Sequence, residues 1–181
     1  MNDTLMVIGE ALIDFIPTEQ GMALKDVCSF TKHCGGAPIN IAAATAKLGA
    51  HSKVLTQVGA DAFGDFILET LSLCQVDITA VKRTKQYPTA LAFVALDEKG
   101  NRDFTFYRDP CADLHLSAED ITATMFQDCG ILHFCSVDLV DSPMKQAHLK
   151  AIQLAKEQGA IISFDPNVRL PLWSSKEDCK N

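Results

Sequence analysis

The chain has 181 residues, of which 48% are hydrophobic and 22% charged, and this is enough for one substantial core of ordinary globular composition. Its formal net charge is −7 and it has no run of Lys or Arg, which argues against nucleic acid as a partner. No apolar run is long enough to cross a membrane and no charged leader precedes a long apolar stretch, so neither a membrane protein nor a secretion signal is expected.

The number and spacing of the cysteines indicate the redox state of the compartment in which the protein works. They number seven, an odd count, and no two have C-x-x-C spacing. This pattern argues against a disulfide framework and predicts a reduced, cytoplasmic setting. His33 beside Cys34 offers half of a metal site, but no second ligand pair stands at a suitable spacing, so no metal site is predicted.

Apolar patterns in the first half predict strands that alternate with helices. The predicted elements are strands at 5–9 and 52–59 and helices at 38–48 and 61–74. Pro38 in the first turn and Gly49 just past the end mark the first helix. Asp61 stands where the N-cap of the second helix is expected.

The second half opens with a hairpin signal over 89–108, two β-rich runs around DEKGN. Ser117 and Asp120 predict a capping box before a short helix. Strands at 130–137 and 160–164 flank a helix at 142–159. The predicted inner face of that helix consists of Met144, Ala147, His148, Ala151, Leu154 and Ala155.

This alternation predicts an α/β fold, with a mostly parallel sheet flanked by helices on both sides. Residues 10–34 and 86–112 interrupt the alternation. They are expected to form a small antiparallel sheet of their own.

The stretch GGAPIN raises the question of a ligand. Gly35 and Gly36 stand directly before a predicted helix, where free backbone N–H groups and the positive end of the helix dipole favour a ligand. A local alternative is a tight loop before a helix that packs closely on a sheet. That alternative leaves Asn40, a poor helix former in the first turn, unexplained.

Polar residues also follow the predicted strand ends, where open α/β sheets bind ligands. They are Asp14, Asp61, Asp165, Asn167 and Arg169. Asp14 with Asn40 and Arg169 suits a polyhydroxylated ligand, because each hydroxyl both donates and accepts a hydrogen bond. Taken singly, each is better explained as a surface residue, a helix cap or a solvated loop charge.

Two nucleotide-binding classes lack their motifs. No G-x-x-x-x-G-K-[ST] occurs, which argues against a P-loop NTPase. No G-x-G-x-x-G follows the first strand, where the sequence is GEALID, so a dinucleotide-dependent oxidoreductase is not supported.

The stretch GGAPINIAAATAKLGAHSKVLTQVG, residues 35–59, resembles the first signature of the PfkB (ribokinase-like) family of carbohydrate kinases. The glycine pair, Asn40, Ala42, Gly49 and Gly59 stand at that family's spacing. Within the family, GEALIDFIPT and AIISFDPNVRLPLW resemble fructokinases. The likeness covers essentially the whole chain, as the N-terminal portion of the family domain.

The resemblance implies a ribokinase-like core at 1–12, 35–85 and 113–181 and a β-sheet lid at 13–34 and 86–112, with the C-terminal part of the fold absent. It also implies ATP-dependent, Mg²⁺-assisted phosphorylation of a sugar, expected to be fructose at O6, and a homodimer formed through the lid. The implied sugar contacts are Asp14, Gly35, Gly36, Asn40, Arg108 and Arg169, with Asn167 as a nucleotide contact.

In this family the base Asp, the metal motif and the adenine pocket come from the C-terminal part, which is expected beyond Asn181. No catalytic residue or metal ligand is therefore predicted in this chain, and residues 1–181 alone are expected to be inactive. Two alternatives stay open. One is another sugar kinase such as a 2-keto-3-deoxygluconate kinase, whose acid substrate would suit Arg108 and Arg169. The other is a non-catalytic sugar-binding fragment.

Overall fold

The computed structural model describes residues 3–19, 21–96, 102–173, 175, 177 and 179. In chain order the strands are β1 (Thr4–Ile8), β2 (Leu12–Pro17), β3 (Phe30–Gly35), β4 (Ser52–Gly59), β5 (Val81–Thr84), β6 (Ala90–Leu96), β7 (Arg102–Tyr107), β8 (Cys129–Cys135) and β9 (Ile161–Asp165), and the α-helices are α1 (Ala37–Lys47), α2 (Ala62–Leu73) and α3 (Pro143–Glu157). Among the described helices, none combines the length and apolar character needed to cross a bilayer.

The central sheet is parallel, as predicted, with strand order β5-β4-β1-β8-β9. Successive side chains of a strand point to opposite faces, so β1 contributes to two cores. Met6 and Ile8 pack with α3, whereas Val7 packs with α1 and α2. Helices therefore cover both faces of the sheet, which explains why its strands are continuous apolar runs.

The helix ends follow from their caps. Ser142 Oγ accepts a hydrogen bond from the Lys145 N–H, and α3 begins at Pro143. The buried face of α3 is confirmed residue by residue as Met144, Ala147, His148, Ala151, Leu154 and Ala155. Asp61 is confirmed as the N-cap of α2, since its carboxylate accepts hydrogen bonds from the N–H groups of Phe63 and Gly64.

The second sheet has the order β3-β2-β6-β7 and is mixed, so the prediction of an antiparallel sheet was wrong. Each hairpin is antiparallel within itself, but β2 and β6 pair in parallel. The reason is that β2 and β6 both start at the edge of the core and run away from it in the same direction. β2 starts just after β1, and β6 starts just after Thr89. The predicted DEKGN turn, residues 97–101, lies outside the described residues.

Asp61 joins this second sheet to the core. Its carboxylate accepts hydrogen bonds from the N–H and the hydroxyl of Thr89, both at 2.8 Å, and Thr89 stands immediately before β6. The Gly59 N–H in turn donates to Thr89 Oγ1 at 3.0 Å. Partial burial by itself would raise the pKa of Asp61, but these hydrogen bonds hold it below its ordinary value. Asp61, the N-cap of α2, therefore also holds the start of β6 in place.

Candidate functional site

A pocket of about 320 Å³ lies where the carboxyl edge of the central sheet meets the second sheet. Its core side is mostly polar and includes Glu10, Gly36, Asn40, Asp165, Asn167 and Arg169. Its other side, from the second sheet, includes Leu12, Asp14, Ile16, Val94 and Phe106. This is the end of a parallel sheet where ligands bind in open α/β folds.

Most of the residues expected from the sequence to bind a ligand meet in this pocket. Those that line it are Asp14, Gly36, Asn40, Asn167 and Arg169. Gly35 and Arg108 lie outside its lining. Each of these two residues has close contacts within the protein.

Gly35 makes room for the carboxylate of Asp14. It is the last residue of β3 and pairs with Leu12 on β2, two positions before Asp14. A Cβ placed on Gly35 would overlap the Asp14 carboxylate and approach Leu12 Cδ1 to 2.9 Å. Glycine at this position therefore lets Asp14 lie over β3 and line the pocket.

Gly36 is the N-cap of α1 and has φ +114°, a conformation that favours glycine. A Cβ there would overlap the carbonyl oxygen of Glu10. With no side chain, Gly36 cannot cap α1 itself. The Ala37 N–H donates instead to Glu10 Oε1 at 2.8 Å. The first N–H of α1 is thus already engaged within the protein.

Glu10 is a site residue that the sequence reasoning missed. Only 3% of it is exposed, and the Cys135 thiol lies 3.4 Å from its Oε2. Burial raises the pKa of Glu10, against the lowering effects of the Ala37 hydrogen bond and the Arg108 charge. The available signal was its place in GEALID, a charged residue directly after a buried strand.

Arg108 lies in a buried cluster beside the pocket. Its Nη2 contacts Asp113 Oδ2 at 2.7 Å and Asp138 Oδ1 at 2.6 Å. Asp138 Oδ2 and Arg108 Nε have no hydrogen-bond partner among the described residues. Burial, reinforced by the charges of Asp113 and Glu10, raises the pKa of Asp138 to about 8 despite the neighbouring guanidinium. The charge of Arg108 is therefore balanced within the fold.

Asp138→Asn is expected to flatten the pH dependence of stability between pH 6.5 and 8. Folded Asp138 keeps its proton up to about pH 8, whereas the unfolded chain releases it near 3.8, so the free energy of unfolding falls as pH rises toward 8. The slope is at most about 1.4 kcal/mol per pH unit for one proton. Buried His133 and His148, whose pKa values are lowered, oppose this trend below 6.5.

Urea unfolding across that window checks this expectation. Asp141→Asn makes the same substitution at an exposed aspartate three residues away and serves as the control. An equal pH slope in the wild type and in Asp138→Asn would show that Asp138 is ionised throughout, contrary to the expectation.

The rim of the pocket is formed by the residues after β9. The Asn167 N–H donates to Asp165 Oδ1 at 3.0 Å, and Asn167 has φ +37°. Arg169 Nη1 donates to the Val168 carbonyl at 3.1 Å. This turn brings the amide of Asn167 and the guanidinium of Arg169 to the pocket opposite the second sheet.

The pocket lining combines hydrogen-bond donors, acceptors and apolar side chains. Carboxylates accept hydrogen bonds, a guanidinium donates them, and the Asn40 amide does both. Apolar side chains of the second sheet supply the remaining surface, as in typical small-molecule sites. Within the described residues no cluster of His, Cys, Asp or Glu is arranged to hold a metal ion.

Comparisons with known proteins identify the family and the fold. The family model described as pfkB family carbohydrate kinase matches residues 2–181. Probable fructokinase-2 of Arabidopsis thaliana is 41% identical over 172 residues, covering 95% of this chain and 52% of that protein. The crystal structure of fructokinase from Xylella fastidiosa superposes with a TM-score of 0.88 at 37% identity, covering 97% of this chain and 54% of that one.

A second structure of the Xylella fastidiosa fructokinase, with bound ATP, gives a TM-score of 0.86 at 38% identity and covers 97% of this chain and 52% of that one. The chain thus spans about half the length of the curated relatives it matches.

Proposed function

This chain belongs to the pfkB family of carbohydrate kinases, and from that membership we propose that it carries the sugar site of an ATP-dependent fructokinase, which converts fructose to fructose 6-phosphate. The observation that carries the proposal is the convergence of Asp14, Asn40 and Arg169 on one pocket. Relatives named as fructokinases, about 40% identical over nearly the whole chain, support it.

In this proposal each polar group has a role toward the sugar. The Asp14 carboxylate accepts hydrogen bonds from two hydroxyls, Asn40 donates and accepts, and Arg169 donates. Gly36 lets the backbone approach the ring, because it has no side chain to intervene. The apolar side chains of the second sheet face the C–H surface of the sugar. Arg108 remains a predicted sugar contact, although its Nη2 is engaged by Asp113 and Asp138.

The charges around the pocket favour fructose over the second candidate, 2-keto-3-deoxygluconate. Glu10, Asp14 and Asp165 line the pocket and oppose an anion, whereas Arg169 is the one cation among the described lining residues. Arg108 Nη2 is already engaged by Asp113 and Asp138. A neutral sugar needs no compensation for these charges, so it is the better match.

ATP is the proposed phosphoryl donor, because a fructokinase structure similar to this chain holds ATP. When bound, ATP supplies the γ-phosphoryl group, and Mg²⁺ would balance its charge. Among the described residues no cluster is arranged to hold Mg²⁺, and the three carboxylates that face the pocket oppose the charge of the phosphates of ATP. Asn167 stays a predicted nucleotide contact. We therefore expect a polypeptide of residues 1–181 to bind sugar but to release no ADP from ATP.

The remaining parts of the proposal concern assembly and compartment. We propose a homodimer formed through the second sheet, where Tyr107 is 63% exposed and its ring lies 5.6 Å from that of Phe93. Sedimentation checks this, and a monomer at every concentration would contradict it. A reducing compartment such as the cytoplasm suits seven free cysteines.

Asp14→Asn is expected to lower the affinity for fructose about 10- to 100-fold, because a hydrogen bond to a charged group contributes about 1.5–3 kcal/mol. The asparagine keeps the shape that Gly35 accommodates but loses the charge. Isothermal titration of the polypeptide with fructose measures the change.

The control is Asp26→Asn, which removes one exposed carboxylate from the same hairpin. Equal fructose affinities in Asp14→Asn and in the control would contradict the proposed sugar site. A wild type that binds 2-keto-3-deoxygluconate but not fructose would favour the second candidate.

A further inference from the structure

Residues 166–169 form the turn after β9, and this turn carries two polar residues of the pocket lining, Asn167 and Arg169. Packing holds the turn only weakly, since Val168 between them is 48% exposed. Two of its hydrogen bonds are local, from the Asn167 N–H to Asp165 and from the Arg169 guanidinium to the Val168 carbonyl. Local bonds shape a turn, but they do not fix its position relative to the rest of the site.

Ser136 connects this turn to β8. Its hydroxyl donates a hydrogen bond to the carbonyl oxygen of Pro166, and Ser136 is only 5% exposed. The last pair of the ladder between β8 and β9 is Cys135 with Asp165. Ser136 and Pro166 come next on the two strands, and Pro166 has no N–H with which to continue the ladder. The Ser136 hydroxyl therefore makes the connection where the backbone pairing stops and the turn begins.

Both neighbours of Ser136 belong to the surroundings of the pocket. The Cys135 thiol lies 3.4 Å from Glu10 Oε2, and Val137 lines the pocket. We propose that Ser136 is a positioning residue, whose hydroxyl holds the turn at 166–169 against the end of β8 and so keeps Arg169 in place to bind the sugar. This inference rests on the proposed function of the pocket as a sugar site.

Ser163 provides a matched comparison for Ser136. It lies on β9, and its Oγ is 2.9 Å from Nδ1 of His133 on β8. This contact joins the same two strands, but within the ladder, where backbone hydrogen bonds already hold them together. Loss of the Ser163 hydroxyl should therefore leave the turn in place.

The first test is the fructose affinity of Ser136→Ala, measured by calorimetry. The affinity is expected to fall about three- to tenfold, which is the range that one neutral hydrogen bond allows. Ser163→Ala is the control and should stay within about twofold of the wild type. Ser136→Thr keeps a hydroxyl at the same position and should also stay within about twofold of the wild type. A loss in Ser136→Thr equal to that in Ser136→Ala would show that the hydroxyl is not what matters.

The second test asks whether Ser136 acts through Arg169. If it does, adding Ser136→Ala to Arg169→Ala should weaken fructose binding by less than about twofold, because the two residues are coupled. A general structural role would lower the affinity by the same factor with and without Arg169.

The single tryptophan, Trp173, gives a measurement that needs no ligand. It stands four residues after Arg169, it is half-buried, and its indole Nε1 is fully buried. Release of the turn should expose the indole to water and shift its fluorescence emission to longer wavelength in Ser136→Ala. The emission of Ser163→Ala should match that of the wild type.

The outcomes separate the two proposals. Unchanged fructose affinity in Ser136→Ala, an equal loss in Ser163→Ala, or the same factor in the Arg169→Ala background overturns the role of Ser136. Absence of fructose binding by the wild type overturns the proposed sugar site instead. The emission of Trp173 then still decides whether Ser136 holds the turn, since identical emission in the wild type and Ser136→Ala would contradict it.

Discussion

Replacing Arg108 with methionine is expected to lower the free energy of unfolding by about 3–5 kcal/mol, the range found when one partner of a buried ion pair is removed. The guanidinium lies between Asp113 and Asp138, and the side chains of both aspartates are fully buried. Methionine fills a similar volume but leaves both carboxylates without a cation. Urea unfolding at neutral and alkaline pH measures the loss.

The loss should shrink as pH falls, because Asp138, whose pKa is raised to about 8, then takes up a proton and no longer needs the cation. A combined variant, Arg108→Met with Asp113→Asn and Asp138→Asn, separates charge from packing. It is expected to recover most of the lost stability. A loss below about 1 kcal/mol in Arg108→Met, the range of exposed pairs, would mean that this cluster is solvated.

Arg108→Met is also expected to affect the pocket. Arg108 follows β7 of the second sheet, whereas Asp138 follows β8 of the central sheet. Their ion pair therefore connects the two walls of the pocket, and fructose affinity should fall with stability in Arg108→Met. If the combined variant recovers both stability and fructose affinity, Arg108 is one of the residues that position the pocket. Recovery of stability without recovery of fructose binding would support the predicted direct contact.

Gly36→Ala is expected to destabilise the protein by about 3 kcal/mol or more and to abolish fructose binding. A side chain at φ +114° costs about 1–3 kcal/mol in backbone strain alone. The new Cβ would in addition overlap the carbonyl oxygen of Glu10, which is backbone and cannot rotate away. The N-terminus of α1 must then move away from Glu10, and it carries Asn40 with it.

Gly49→Ala is the matched control for Gly36→Ala. Gly49 also has positive φ, +88°, but a Cβ there has no atom within 4 Å. It should therefore show the strain alone, about 1–3 kcal/mol, with fructose affinity unchanged. Urea unfolding and calorimetric titration of both variants make the comparison. If Gly36→Ala and Gly49→Ala had equal effects on stability and on fructose affinity, the close approach of Gly36 to Glu10 would not be important for either.

The glycine pair in GGAPIN shows how far the sequence led. The pattern predicts a ligand site at the start of α1, and in the structure Gly36 and Asn40 line a pocket there. The expected mechanism was donation by free N–H groups to a ligand. In the structure, Gly35 accommodates Asp14, and the Ala37 N–H is bound by Glu10. The sequence pattern therefore points to this region, whereas the contacts of each glycine and of the Ala37 N–H depend on residues from other strands.

Some strands escaped sequence analysis for a physical reason. β3 contains Thr31, Lys32 and His33 in succession, all exposed, so it shows no alternation of apolar and polar residues. β5 has four residues and reads VKRT. Both are held by backbone pairing to a neighbouring strand, which leaves no signal in their own side chains.

Local sequence patterns specify the apolar strands of the parallel sheet, the helix caps and the buried face of α3. Periodicity and capping act over a few residues, so the pattern specifies these features directly. The parallel pairing of β2 with β6, the capping of α1 by Glu10 and the burial of Arg108 depend instead on the folded arrangement. These contacts join residues far apart in the chain, 27 positions for Glu10 and Ala37 and 30 for Arg108 and Asp138. They form only when the folded core brings their elements together.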